Sequence, residues 1–189
     1  NVLPQGYADQ IEQDLLSWNF PWYYVDDVTN AHTGYGDNSG LVHLALNMSD
    51  RPSDWMPFIK PLVYTIEQLN KVPITKLLRI RVGMLPKTLQ AEYEYNTPHV
   101  DFLFPHYTAC YYVNDSDGDT VLFDKKLTDV GSDINDQSLK QFTDTATFTK
   151  VATSSPRKNS LCVFDGFRFH ASTKPRQHSR RIVITVNYS

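Results

Sequence analysis

Three side chains able to hold a transition metal stand at spacings that could bring them together. His99 and Asp101 are two apart in the run Pro98-His99-Val100-Asp101, and in an extended chain residues i and i+2 face the same way. A third, His170, follows a hydrophobic run, and eleven residues later Arg181 opens R-I-V-I-T-V. Two imidazoles and one carboxylate on one face of an octahedron leave three positions for reactants, a donor set suited to Fe(II) and oxygen chemistry. The H-x-D spacing alone is weak in a chain with six His and many aspartates; its weight comes from the combination with His170 and Arg181. Zinc uses similar ligands, but no H-E-x-x-H and no paired C-x-x-C is present.

These residues need strands to hold them. In the last stretch, alternation puts Arg181, Val183, Thr185 and Asn187 on one face and Ile182, Ile184, Val186 and Tyr188 on the other. That division suits a small barrel that packs outward on helices and keeps a partly polar interior. Residues 77–85 read as the first barrel strand, with Arg79 and Arg81 on one face, either solvated or part of the site. Residues 91–95 alternate Glu92 and Glu94 against Tyr93 and Tyr95 and lead, as a hairpin, into His99. A strand at 108–114 carries Tyr111-Tyr112. The Asp115-Ser116-Asp117-Gly118-Asp119 run resembles a calcium loop but fails as one, with Thr120 and Lys126 at its sixth and twelfth positions. A hairpin turn is the better reading. Strands are expected at 120–123, 147–152 and 159–164, and the polar stretch 124–145 reads as a partly helical insertion or mobile loop.

Upstream, residues 4–18 carry Ile11, Leu15 and Trp18 at helical spacing. A second helix, capped at Ser53 and running to about 70, would bury Phe58, Ile59, Leu62, Val63, Ile66 and Leu69, with a kink at Pro61. Between them, 26–40 reads as a polar loop. Its Gly34-Tyr35-Gly36 lacks the third glycine of a dinucleotide fingerprint. His32, His43, His106 and His178 read as structural or surface residues.

Taken in order, the H-x-D motif, the Tyr111-Tyr112 strand, the acidic glycine turn, the distal His170 and the R-x-x-[IL]-T run Arg181–Thr185 resemble the 2-oxoglutarate- and Fe(II)-dependent dioxygenases of the prolyl-hydroxylase type. The resemblance covers residues 77–189. The opening, from Leu3-Pro4 through Phe20-Pro21-Trp22-Tyr23, is similar to that of small phage-encoded oxygenases. The resemblance to the prolyl-hydroxylase type implies a mainly β (α+β) fold, a double-stranded β-helix of jelly-roll or cupin-like type. One oxygenase domain over 1–189 would divide into an N-terminal segment and helical buttress (1–76) and a barrel core (77–189). It further implies that His99, Asp101 and His170 bind Fe(II) and carry catalysis. Arg181 and Tyr112 would hold the far carboxylate of 2-oxoglutarate, with Thr185 in the same site, O2 as co-reactant and ascorbate as a candidate auxiliary reductant. Asp101 in place of a halide position argues for hydroxylation. The family-level substrate is a prolyl or other residue of a polypeptide, with release of succinate and CO2.

Two rivals stay open. A nucleic-acid-modifying oxygenase is suggested by Arg168, Lys174, Arg176, Arg180 and Arg181, although a net charge of −3 gives no general push toward polyanions. A cupin-like binder without turnover is the other. A rim formed by 91–98 and 124–145 would carry more acidic than basic groups, Glu92, Glu94, Asp129, Asp133, Asp136 and Asp144 against Lys125, Lys126 and Lys140, and would favour a polypeptide. No apolar run approaches the roughly 18 residues of a membrane span, and no signal-peptide pattern opens the sequence. Cys110 and Cys162 lie in strand-like runs as expected for reduced thiols. The expectation is therefore a cytoplasmic protein, monomeric by default.

Overall fold

The computed structural model describes residues 1–29, 38–48, 50–89 and 93–189. His32, the Gly34-Tyr35-Gly36 run, Ala91 and Glu92 lie outside the described residues. In chain order the elements are α1 (Gln5–Leu15), β1 (Tyr23–Val25), β2 (Gly40–Asn47), α2 (Met56–Asn70), β3 (Leu77–Pro86), β4 (Tyr107–Tyr112), β5 (Thr120–Lys126), α3 (Asp136–Thr145), β6 (Lys150–Ser154), β7 (Ser160–Asp165), β8 (Arg168–Ser172) and β9 (Arg180–Tyr188). The large sheet runs β1-β2-β3-β9-β4-β7 and the small one β6-β5-β8, with every pairing antiparallel. A single bridge between His99 and His170 extends the small sheet by one position. From β3 onward the chain passes back and forth between the sheets, which is the winding of a double-stranded β-helix.

Alternation along β9 and β3 divides the molecule. Ile80, Val82, Ile182, Ile184, Val186 and Tyr188 turn outward and pack with Ile11 and Leu15 of α1 and Ile59, Leu62, Val63 and Ile66 of α2. Burying each such side chain contributes about 1.5–3 kcal/mol, so this seam anchors the large sheet. The opposite face of the same strands looks toward the small sheet. The back of the small sheet is closed separately: Val121, Phe123, Phe169 and Ala171 are covered by Leu139 and Phe142 of α3, together with Phe148 and Tyr95. Asn135 starts α3 by accepting the amides of Gln137 and Ser138, each at 3.1 Å.

Several local expectations change. α1 ends at Leu15 and leaves Trp18 exposed, because Ser17 turns back to the Asp14 carbonyl with both its amide and its hydroxyl. α2 starts at Met56, with Pro57 in its first turn and Ser53 bonded to the Trp55 amide; Leu69 is exposed. β2 was not expected: its alternation is broken by a bulge between Leu44 and Leu46, and His43 is buried with ring bonds to the Pro21 carbonyl (3.1 Å) and Ser53 Oγ (3.0 Å). Residues 93–96 form bends rather than a strand.

The 115–119 turn does not close a hairpin, since β4 and β5 belong to different sheets. Asp117 instead accepts the amides of Arg176 (2.9 Å), Gln177 (2.8 Å) and His178 (3.0 Å). Turn-forming residues specify a reversal; which strand receives it is set by the partner surface. Among the described residues no helix is long and apolar enough to cross a membrane.

Candidate metal centre

His99 and His170 are locked to each other through the backbone, each amide donating to the other's carbonyl at 3.0 Å. Their rings are fixed the same way. His99 Nδ1 donates to the Thr97 carbonyl (2.9 Å) and His170 Nδ1 to the Arg168 carbonyl (3.2 Å). A carbonyl only accepts, so the proton sits on Nδ1 and Nε2 keeps its lone pair for a metal. Asp101 completes the group: one ligand atom from each of the three residues lies within 4.8 Å of the others, and His170 Nε2 is 3.8 Å from Asp101 Oδ2.

The carboxylate is held from behind. Its Oδ1 accepts from Arg79 Nη2, and its Oδ2 accepts from Asn187 Nδ2 (2.8 Å) and Thr108 Oγ1 (3.2 Å). Arg79 also donates from Nε to Asn187 Oδ1 (3.1 Å) and lies over the Phe102 ring at 5.0 Å. Burial would raise the Asp101 carboxyl, but Arg79, with His170, His99 and Arg81, holds it well below the usual carboxylate range. Burial, and then the neighbouring His170, pushes His99 down to about 3; burial also lowers His170. Two neutral imidazoles and an ionised carboxylate are the protonation states a divalent ion needs, so these residues fit Fe(II).

The centre opens into a narrow cleft, partly open to solvent, lined among others by Arg81, Cys110, Thr120, Arg181, Val183 and Thr185. Thr185 lies opposite both Arg81 on β3 and Cys110 on β4. Arg181, 7% exposed, donates from Nη2 to Thr120 Oγ1 (2.8 Å). Tyr112 sits one step back: its hydroxyl bonds to Thr120 Oγ1 (2.9 Å) and the Ser154 carbonyl (3.3 Å), with its ring 5.9 Å from the Arg181 guanidinium. Burial pushes the Cys110 thiol up to about 12, so it lines the cleft as an unreactive group.

The triad, Arg181 and Thr185 are thus brought to one cavity, with Tyr112 behind it. Thr108, Thr120 and Asn187 were not singled out in the sequence, although Asn187 shares the alternating face of Arg181. Arg79 and Arg81 are both interior. The rim is arranged differently from expectation, because α3 covers the back of the small sheet, away from the metal centre. Several charges on and near it are paired with one another, Lys140 with Asp144 (2.7 Å), Lys126 with Asp165 (3.0 Å) and Lys150 with Glu94. Nor do the five basic residues form one surface. Arg181 faces the cleft, and Arg168 donates to the Phe123 carbonyl at 2.7 Å. Beside the centre the chain instead continues into Phe102, Leu103 and Phe104, where Leu103 and Phe104 are exposed. Buried His106 is bonded to the Phe104 carbonyl (2.8 Å) and edged by Phe102.

No protein-family model and no curated protein sequence matches the chain. Solved structures share its fold. The non-heme alpha ketoglutarate dependent epimerase SnoN from nogalamycin biosynthesis superposes with a TM-score of 0.65 at 15% identity, over 99% of this chain and 75% of that one. HygX from Streptomyces hygroscopicus, solved with nickel and 2-oxoglutarate bound, gives 0.57 at 13% identity, covering 100% and 80%. A prolyl-4-hydroxylase from Pseudomonas putida gives 0.54 at 11%, covering 99% and 88%. The double-stranded β-helix of this chain is therefore a fold it shares with an alpha ketoglutarate dependent epimerase, a protein solved with 2-oxoglutarate bound and a prolyl-4-hydroxylase.

Proposed function

We propose that the protein is an Fe(II)- and 2-oxoglutarate-dependent dioxygenase that hydroxylates a carbon of a polypeptide, with proline the first residue to test, and releases succinate and CO2. The observation that carries this reading is one cleft with a two-imidazole, one-carboxylate donor set at one end and a buried arginine at the other. His99, Asp101 and His170 would hold the ion, which when bound supplies O2 activation coupled to decarboxylation of the cosubstrate. Arg181 would pair with the far carboxylate in a charge-assisted fork. Thr120, fixed by Tyr112, aims that guanidinium, and Thr185 lines the path between the two ends. Ascorbate would serve only to keep the iron reduced.

A polypeptide is favoured over nucleic acid by what borders the centre. Exposed Leu103, Phe104 and Tyr107 offer apolar contact in the segment that follows Asp101, and among the described residues no phosphate-binding row of cations lines the mouth. The free thiols Cys110 and Cys162, neighbours across β4 and β7, suit a reducing intracellular compartment. The test is to offer proline-containing peptides and single-stranded oligonucleotides with Fe(II) and 2-oxoglutarate, following succinate and the mass of an added oxygen. Peptide-stimulated succinate with peptide oxidation is expected; stimulation by oligonucleotides alone would replace the substrate class, and absence of iron-dependent succinate with either would reject the enzyme.

A further inference from the structure

The cleft holds a second arginine that the reading above leaves without a role. Arg81 is inward-facing on β3, lines the cleft, and also lines an adjoining cavity with Arg181, Val183 and Thr185. Its only hydrogen bond among the described residues runs from Nη1 to the Val28 carbonyl at 2.6 Å, and its buried Nε has no partner. Arg181 is in the same condition, with Nη2 on Thr120 and a buried, unpartnered Nε. Neither has a carboxylate within ion-pair distance among the described residues, in contrast to Arg79, which is paired with Asp101. A buried guanidinium with donors unspent and no counter-anion is costly, and a bound anion relieves that cost.

The two arginines occupy different ends. Arg81 is close enough to act electrostatically on both His99 and Asp101, and on Arg181 in turn. The groups that favour the charged form of Arg181 are instead Tyr112, Cys110 and Asp119. On the paired strands β3 and β9, Arg81 lies opposite Thr185 and Arg181 opposite Leu85, which separates their backbones by about 13 Å and lets the side chains approach a small acid from its two ends. Burial first, then repulsion from Arg79, pushes Arg81 down to about 10, so it stays charged at neutral pH.

We infer that Arg81 is a second guanidinium contact for the cosubstrate, gripping the keto-acid end beside the metal, so that the cleft selects a dicarboxylate by holding both ends at once. This rests on the 2-oxoglutarate reading above. It makes Arg81 a binding and specificity residue, with Arg181 reading the far carboxylate and Arg81 the near one.

The experiment compares 2-oxoglutarate with pyruvate, which keeps the keto-acid end and lacks the far carboxylate, by calorimetry on Mn(II)-loaded protein without oxygen. The wild type should prefer 2-oxoglutarate. Arg181→Met should weaken 2-oxoglutarate roughly tenfold or more and spare pyruvate. Arg81→Met should weaken both acids by the same factor, again roughly tenfold, with Arg81→Lys between it and wild type. Unliganded Arg81→Met should melt at or above the wild-type temperature, because an unpaired buried charge has been removed. Unchanged affinity for both acids in Arg81→Met, or a lowered melting temperature with unchanged affinity, would assign Arg81 to the scaffold through Val28 and overturn the inference while leaving the oxygenase reading intact. A wild type that takes up neither acid would overturn both.

Discussion

The two ends of the cleft are finished to different degrees. At the metal end every ligand is already braced: each imidazole by a backbone carbonyl, the carboxylate by Arg79, Asn187 and Thr108. The arginines are not braced in this way: Arg181 at the far end, and Arg81 reaching in beside the metal, each keep a buried donor unspent. A metal is held by direction, so its ligands must be aimed before it arrives; an anion can supply the missing partners itself. The contrast teaches that the protein invests its own hydrogen bonds where geometry decides chemistry and leaves charge unsatisfied where a ligand is to be captured.

The largest effect should come from the braced end. His99→Ala, Asp101→Ala or His170→Ala each removes one of three protein ligands, and Fe(II)-dependent succinate release should fall to background with loss of stoichiometric Mn(II) binding, read by paramagnetic resonance. Normal metal occupancy in any of the three would break the comparison at its root. The histidines also predict a pH effect. Folding holds them neutral, so they bind fewer protons folded than unfolded; their contribution is complete above the unfolded imidazole value of about 6.5 and diminishes as pH falls below it. Metal-free protein should therefore lose stability between pH 7 and 5, and His170→Gln should flatten that decline.

The second effect in size belongs to the open end. Arg181→Ala should weaken 2-oxoglutarate by about 2–5 kcal/mol, the cost of leaving a carboxylate unpaired in a confined site, while Tyr112→Phe, which only loosens Thr120, should cost about 1 kcal/mol. Calorimetric titration separates the two. Equal losses would mean that Tyr112 touches the cosubstrate directly.

How much of this was legible in the sequence depended on whether a single strand sufficed. The faces of β9 follow from alternation, so Arg181, Thr185 and the apolar seam could be read off directly. The H-x-D spacing paired His99 with Asp101 because two residues of extended chain suffice. The roles of Arg79 and Arg81 could not be read, since facing inward or outward depends on which sheet covers the strand, and that is tertiary information. The same holds for the 115–119 turn, whose composition specifies a reversal but not the sheet it enters. β2 was hidden by its bulge, and α3 was misplaced to the mouth because sequence order says nothing of which side of the small sheet an insertion covers.

A smaller effect tests the bracing itself. Arg79→Met removes the cation on Asp101 Oδ1 while keeping the side-chain volume against Phe102. Outer partners of metal ligands typically contribute 10–100-fold in metal affinity, so Mn(II) binding should weaken by about tenfold, with 2-oxoglutarate affinity at saturating metal unchanged. If both fall together, Arg79 serves the whole cleft and the two ends are less independent than the hydrogen bonding suggests.

The smallest expected effect lies outside the cleft, at the turn that sets the arginine end. Asp117 gathers the amides of Arg176, Gln177 and His178 just ahead of Arg181, and Gly118 beside it is so close that an added Cβ would stand 2.9 Å from Arg181 Cδ and 2.7 Å from the Thr173 carbonyl. Burial raises the Asp117 carboxyl, but the amides of His178, Arg176 and Gln177 outweigh it and hold it well below the usual range. A carboxyl depressed on folding stabilises above its unfolded value and loses that contribution as pH falls through it. Asp117→Ala should thus cost about 1 kcal/mol at pH 7, the site being partly solvated, and the melting difference from wild type should shrink below about pH 4. Metal affinity should not change. Gly118→Ala should act on the same turn by contact rather than charge, weakening 2-oxoglutarate a few-fold at every pH. A loss of Mn(II) binding in either variant would show that the turn supports both ends, and the division between a braced centre and an open grip would have to be redrawn.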